Sequence, residues 1–503
     1  MQKLKNKTAL IGIAALLLLG ACKKSYLDIN TNVNKPTDVT PGLVLTNALN
    51  STAKNTTGSI NFYQFASAWI GYWNYSGAVS AFAEERSYQF TTNYGVLTSI
   101  WANLYHNLED YDYVEKKGIA INNPFYVAVA KTMKAYDFQN LVDVYGNIPY
   151  SQALKSTAVI RPGYDKAQDI YEDLAKQLDT AANMFKANAG KVSSADGAFD
   201  IMYKGDAGKW GKFANTLKLR LLVRQSEIPG RETYIRAEIA KINANGLGYI
   251  GVGETGSVNP GYNNSAGKQN PFWATFGYSP LGKTAPTDNH RYYIASEYAI
   301  NFYQNNNDPR LGKLYTTIND GKGTTYSGSP FGPTANSGDN PEFKSAIGTG
   351  LLKGADMGQP LLTDVESFFI QAEAAQRTYI NGNTRALYES AVQQSFAYLG
   401  ADNVAAYLKS DVANWDVAAD KLKLIMTQKW AGMNGLNDME SWADYRRLNI
   451  PADIPISNNP AASVRKVPVR LLYPQSEYNY NPDNVLSQGT ISQFTSRIFW
   501  DIN

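Results

Sequence analysis

Along this chain the dominant pattern is an apolar stripe that returns every three or four positions, the period of an α-helix. Residues 167–186 place Ile170, Leu174, Leu178, Ala182 and Phe185 on one face. Residues 125–145 do the same with Val129, Met133 and Tyr136, and residues 209–225 with Trp210, Ala214, Leu217 and Leu221. Further on, residues 364–379 carry Val365, Phe368, Ala372, Ala375 and Tyr379, and residues 384–399 carry Leu387, Ala391 and Leu399. The spacing predicts amphipathic helices over all five segments. Several pair an alanine with a large aromatic one or two turns away. A small residue lets a neighbouring helix approach and a large one fills the groove, which suits helix-pair repeats of the tetratricopeptide kind. No strict period of about 34 residues recurs, so a non-repeating helical domain is the alternative.

Residues 246–363 break this pattern. The stretch is dense in Gly, Pro, Asn and Ser and predicts a long irregular region, interrupted by a helix near residues 294–304. Its aromatics (Tyr262, Phe272, Trp273, Phe276, Tyr278, Tyr292 and Tyr293) favour ordered loops, because disordered segments are poor in them. Gly251-Val252-Gly253 reads as a loop turn. Residues 25–60, rich in Asn, Thr and Pro, read as an extended leader, and the tail after Pro451 is again loop-rich.

The chain has 503 residues, 44% of them hydrophobic, enough for a real core. Lys and Arg number 47 against 44 Asp and Glu. The excess is Lys3, Lys5 and Lys7, so the remainder is charge-balanced. A neutral chain argues against a nucleic-acid binder and against a polybasic membrane patch. After those lysines comes an apolar run from Ala9 to Leu19, then Leu19-Gly20-Ala21-Cys22. This reads as a secretory signal over residues 1–21, too short for a comfortable transmembrane helix. Its end resembles a bacterial lipobox, with the chain's single cysteine, Cys22, as the acylated first residue of a mature domain over 22–503. Multiple acyl chains anchor stably, since each buried methylene adds about 0.8 kcal/mol.

A catalytic set is hard to assemble. His106 and His290 lie far apart in sequence, and Cys22 is committed to the anchor. That excludes a Cys/His nucleophile pair and leaves too few ligands for a zinc site of Cys and His. There is no nucleophile elbow, Walker loop or dinucleotide fingerprint. No metal or cofactor is expected. Glu84, Glu85, Glu109, Asp110, Asp438, Glu440 and Asp444 are the candidates for a two-carboxylate glycosidase. Asp444 with Arg446 and Arg447, however, reads as an ion-pair cluster that fixes a helix.

What remains is aromatic. The chain carries 34 Tyr, 9 Trp and 19 Phe, many beside Asn, Gly or Ser. Sugars present a flat C–H face that an aromatic ring covers and a rim of hydroxyls that amides satisfy. Trp69 and Trp101 lie on helical stripes and read as core. Trp73, Tyr75 and Trp273 are the expected stacking platforms, with Asn74 as hydrogen-bond partner and Tyr278 and Tyr292 as additions. The same surface would also fit peptide.

Six segments, in order, resemble the SusD/RagB family of Bacteroidetes lipoproteins: YLDINTNVNKPT after the cysteine, DVYGNIPYSQAL at 143–154, KWGKFANTLKLRLLVR at 209–224, ESFFIQAEAAQR at 366–377, ESWADYRR at 440–447 and RLLYPQSEYNYNPDN at 470–484. The resemblance implies an all-α fold of tetratricopeptide-like helix pairs, the SusD-like fold, with long irregular loops on one side. It implies a non-catalytic surface lipoprotein that captures oligosaccharide, or in some branches peptide, and passes it to a SusC-like TonB-dependent outer-membrane transporter. Lys23-Lys24-Ser25 follow Cys22 where many surface-exposed relatives carry acidic residues, so surface export is implied by the family and not by a local signal.

Overall fold

In the computed structural model, which describes residues 39–77, 79–280, 285–333 and 339–503, each of the five apolar stripes closes as a helix. The main helices, labelled in chain order, are α1 (Pro41–Asn55), α2 (Ile60–Trp69), α3 (Gly95–Ala120), α4 (Pro124–Tyr145), α5 (Ala167–Ala187), α6 (Ala207–Val223), α7 (Glu232–Asn245), α8 (Asp364–Gln376), α9 (Thr384–Leu399), α10 (Lys421–Met433) and α11 (Asp438–Leu448). On α5 the stripe Ile170, Leu174, Leu178, Ala182 and Phe185 is buried. Helix α4 starts where Asn123 caps it, its side chain accepting from Phe125 N at 3.1 Å, with Pro124 at the first turn where no N–H is needed.

The helices stack on their sequence neighbours. Helix α3 packs on α1 and α4, α4 on α5, and α5 on α6; α8 packs on α9 and α10, and α11 on α2. Small residues permit the close approaches. A Cβ added to Gly432 on α10 would lie 3.0 Å from the Phe369 ring of α8. Residues 41–503 form one compact unit. Among the described residues no helix is long and apolar enough to cross a membrane.

The N-terminal expectation needs correction. The leader expected over 25–60 is helical from Pro41, and α1 buries Leu45, Ala48, Leu49, Thr52 and Ala53. That is a full helical stripe, masked in the sequence by flanking Asn, Thr and Pro. The signal segment, Cys22 and the first family-like segment lie outside the described residues.

The irregular region contains the expected helix, at Glu297–Asn305, started by Ser296. It also contributes strands. Tyr293–Ala295 pairs antiparallel with Trp73–Tyr75, and Gln359–Leu362 pairs with Gly256–Val258. The Gly251–Gly253 turn is tied down by Asp364, whose Oδ2 accepts from Gly253 N at 2.9 Å.

Charges run through the helix core. Arg220 pairs with Glu366 at 3.0 Å, Arg224 with Glu440, Lys429 with Asp444 at 2.6 Å, and Arg447 with both Glu373 and Asp444. The cluster predicted in ESWADYRR is therefore long-range as well as local. Arg446 departs from it. Its guanidinium lies 3.5 Å from the Trp442 ring centroid, and its Nη1 donates to the carbonyls of Asp143 and Val469.

Candidate functional site

The short helix Pro271–Phe276 organises the candidate site. Asn270 is fully buried and caps it, accepting from Trp273 N at 2.9 Å. The Asn270 Nδ2 donates to Met357 O at 3.0 Å and Gln359 Oε1 at 3.1 Å, which fixes the helix to the Gln359–Leu362 strand. Phe272 and Phe276 point into the core, while Trp273 is only half-buried. The chain then turns at Gly277 directly against the indole, where a Cβ would meet Trp273 Cδ2 at 3.0 Å.

This turn packs three tilted rings in a column, Tyr278 between the other two. Tyr278 lies 5.5 Å from Trp273, tilted by 48°, and 4.9 Å from His290, tilted by 42°. His290 sits on the short helix Asp288–Tyr292, which Thr287 caps by accepting from His290 N at 3.1 Å. The His290 Nδ1 lies 2.8 Å from Phe276 O. A carbonyl only accepts, so Nδ1 carries the proton, and in the neutral ring Nε2 is left as an acceptor. Burial lowers the imidazole pKa, opposed by the Phe276 carbonyl, and this favours the neutral form. The indole Nε1 of Trp273 is a buried donor without a partner among the described residues.

On the flank of the same helix lies an open cleft of about 440 Å³. Its walls include Asn55, Asn61, Asn103, Gln269, Pro271 and Thr275. Gln269 links the cleft to the rings, because its Nε2 donates to Tyr278 O at 3.1 Å. A half-buried aromatic column beside an amide-lined cleft can cover an apolar sugar face and satisfy its hydroxyl rim.

Of the six residues expected from sequence, the fold brings Trp273 and Tyr278 together. Tyr292 is half-buried against the core, two residues beyond His290. Trp73, Asn74 and Tyr75 are instead sealed in the interior, each about 1% exposed. Trp73 is stacked on Tyr63 at 5.2 Å and edged by Phe276 at 5.3 Å. Asn74 pins a loop, donating to the carbonyls of Ser329 and Pro330. Tyr75 donates to Gln64 O and stacks on Phe82 at 4.5 Å. The strand Trp73–Tyr75 is covered on both faces, so its side chains do not alternate between core and solvent. None of the three presents a free platform in this conformation. Sequence reasoning passed over His290 and Gln269. The Thr287 cap placing His290 beside the aromatic run was the available signal for the first; nothing local marks Gln269.

The carboxylate candidates fall elsewhere. Glu440 and Asp444 are held in the buried ion pairs, and Asp438 accepts from Ser67 Oγ at 2.5 Å and Gly435 N at 2.8 Å. Glu85 is buried against Tyr94 and Gln64, while Glu84 and Glu109 are exposed. Among the described residues no group of His, Cys, Asp or Glu is placed to hold a metal ion.

Comparison with curated proteins finds no match. Solved structures do match across the chain. A SusD homologue from Bacteroides uniformis shares 23% identity over 92% of this chain and 99% of its own, with a TM-score of 0.75. A chitin-binding SusD homologue from Flavobacterium johnsoniae shares 22% over 91% of this chain and 99% of its own, with a TM-score of 0.76. A structure described as a chitin-binding protein shares 25% over 92% of this chain and 100% of its own, with a TM-score of 0.72. The SusD-like family profile, described as starch-binding and associating with the outer membrane, matches residues 33–474. On that match the chain belongs to the SusD-like family, whose members are non-catalytic nutrient-binding proteins.

Proposed function

We propose that this protein is a cell-surface lipoprotein, anchored through Cys22, that captures an oligosaccharide. It then hands the glycan to a SusC-like TonB-dependent transporter in the outer membrane. The observation that carries the glycan reading is the column Trp273–Tyr278–His290 beside the amide-lined cleft. The His290 Nε2 adds an acceptor suited to an uncharged polar ligand. Two similar structures are described as chitin-binding, which makes N-acetylglucosamine oligomers the first ligands to try.

The test is calorimetric titration of the purified protein with chitohexaose, maltoheptaose and cellohexaose. One of these binds, and Trp273→Ala and Tyr278→Ala each weaken it about fivefold, the equivalent of ~1 kcal/mol per ring. Unchanged affinity in both variants removes this site. Binding of a mixed peptide pool and of no oligosaccharide replaces glycan with peptide as the cargo. For the partner, mild detergent extraction of native membranes recovers the protein with a large β-barrel; recovery alone at endogenous expression removes the transporter step.

A further inference from the structure

Beneath the strand Trp73–Tyr75 the interior holds polar atoms that the fold leaves unused. Glu85 is about 1% exposed, and its Oε1 accepts from Gln64 Nε2 at 2.5 Å and from Tyr94 Oη, yet among the described residues its Oε2 has no partner. Tyr293 is equally buried and its hydroxyl also has no partner among the described residues. The two groups are close enough for the Glu85 charge to act on the Tyr293 phenol. Buried polar atoms of this kind are uncommon and each needs an explanation.

One strained side chain lies against the tyrosine rings of this region. Phe82 stacks on Tyr75 at 4.5 Å and 12°, and meets Tyr293 edge-on at 5.5 Å. Its backbone is left-handed, with φ of +66°, a conformation that a bulky residue rarely adopts. The helix it leads into, Ala83–Ser87, is anchored at its far end. There Arg86 donates to the carbonyls of Tyr75, Ser76 and Pro333. On the near side Ser80 and Ala81 are exposed. The strained residue therefore sits at the N-terminal end of a fixed element, half-buried over two tyrosine rings.

We propose that Phe82 is a plug over a second polyol-binding crevice, in which Tyr75 and Tyr293 supply ring faces and Glu85 Oε2 and Tyr293 Oη supply hydrogen bonds. A pyranose ring would take the place of the Phe82 ring. Its hydroxyls both donate and accept, so they match a carboxylate oxygen that only accepts and a phenol that does either. This crevice adjoins the first site through Phe276, which touches Tyr293 at 5.3 Å. The inference rests on the glycan reading and extends it to a longer chain.

The experiment is titration with the same three oligosaccharides of wild type, Phe82→Ala, Tyr293→Phe and Trp273→Ala, with melting temperatures measured in parallel. Tyr293→Phe removes only an unpartnered hydroxyl, so the free protein melts at the same temperature or higher while affinity falls about fivefold. Phe82→Ala opens the crevice and raises affinity severalfold, because less of the protein is held closed. Should Trp273→Ala weaken binding while the other two variants bind as wild type, the crevice is refuted and the first site stands. Weaker binding by Phe82→Ala makes Phe82 a platform and refutes the plug. Failure of both wild type and Phe82→Ala to bind any of the three refutes the crevice together with the glycan reading.

Discussion

Arg447 grips Glu373 with two prongs, Nη1 to Oε1 at 2.5 Å and Nη2 to Oε2 at 2.7 Å, and both side chains are at most about 1% exposed. The pair joins α11 to α8 across the core. Burial by itself would raise the Glu373 carboxyl pKa, but Arg447 and Arg377 outweigh it and hold it below the usual value. Removing one partner strands the other charge in the interior.

Arg447→Met or Glu373→Leu alone is therefore expected to cost about 3–5 kcal/mol, and the double variant less than the sum. Urea denaturation of the four proteins measures this; additive losses would show the pair to be uncoupled. A depressed carboxyl stabilises above its unfolded pKa and loses that contribution as pH falls through the folded value. The Glu373 share should accordingly be present at neutral pH and disappear in acid, below about pH 4.

Asp137 behaves in the opposite sense. It is fully buried on α4, its Oδ2 accepting from Asn107 at 2.7 Å and its Oδ1 without a partner among the described residues, and burial pushes its pKa up to about 8 despite that bond. The native state thus keeps a proton that the unfolded chain releases near pH 4. The stability from this group is complete in acid and declines as pH rises from about 4 to about 8. Asp137→Asn should gain on wild type through that window, with a slope approaching ~1.4 kcal/mol per pH unit. Denaturation curves at pH 5, 7 and 9 test it, and parallel pH profiles would contradict it.

Trp73 and Trp273 separate structure from binding. Trp73→Ala empties a cluster of Tyr63, Phe272, Phe276 and Tyr293 and is expected to cost about 3–5 kcal/mol. Trp273 is half-buried, and its loss should cost about 2 kcal/mol less while lowering glycan affinity. Thermal melts alongside titrations decide between these roles. A Trp73→Ala protein as stable as Trp273→Ala would place Trp73 outside the core.

His290 sets a pH step on binding. In the neutral ring Nε2 accepts; burial lowers the imidazole pKa, so only in acid, below the ordinary imidazole range, does protonation turn it into a donor. Affinity should be level between pH 7 and 8 and drop in acid, below the ordinary imidazole range, and His290→Gln, which retains an acceptor, should flatten that drop. An identical drop in the variant would assign the step to another group.

The helical scaffold was readable from spacing alone. Ile170, Leu174, Leu178 and Phe185 recur at the helical period, and such a face has nowhere to go but inward. The helix bearing Trp273 was not among the expected elements, since its stretch was taken as irregular, although an Asn cap followed by proline is a local, backbone-level signal that could have marked it. The charge balance likewise argued against a basic, nucleic-acid-binding surface.

Exposure was not readable in the same way. Trp73-Asn74-Tyr75 and Asn270-Pro271-Phe272-Trp273 look alike as aromatic–amide runs, yet one is core and the other is half-open. The difference lies in partners remote in sequence: the Tyr293–Ala295 strand closes over the first run, while the turn at Gly277 leaves an edge of Trp273 uncovered. Helix formation is decided by neighbours within a few residues. Burial of a short strand, the meeting of Tyr278 with His290, and the pairing of Arg447 with Glu373 depend on how distant segments pack, and only the folded chain settles them.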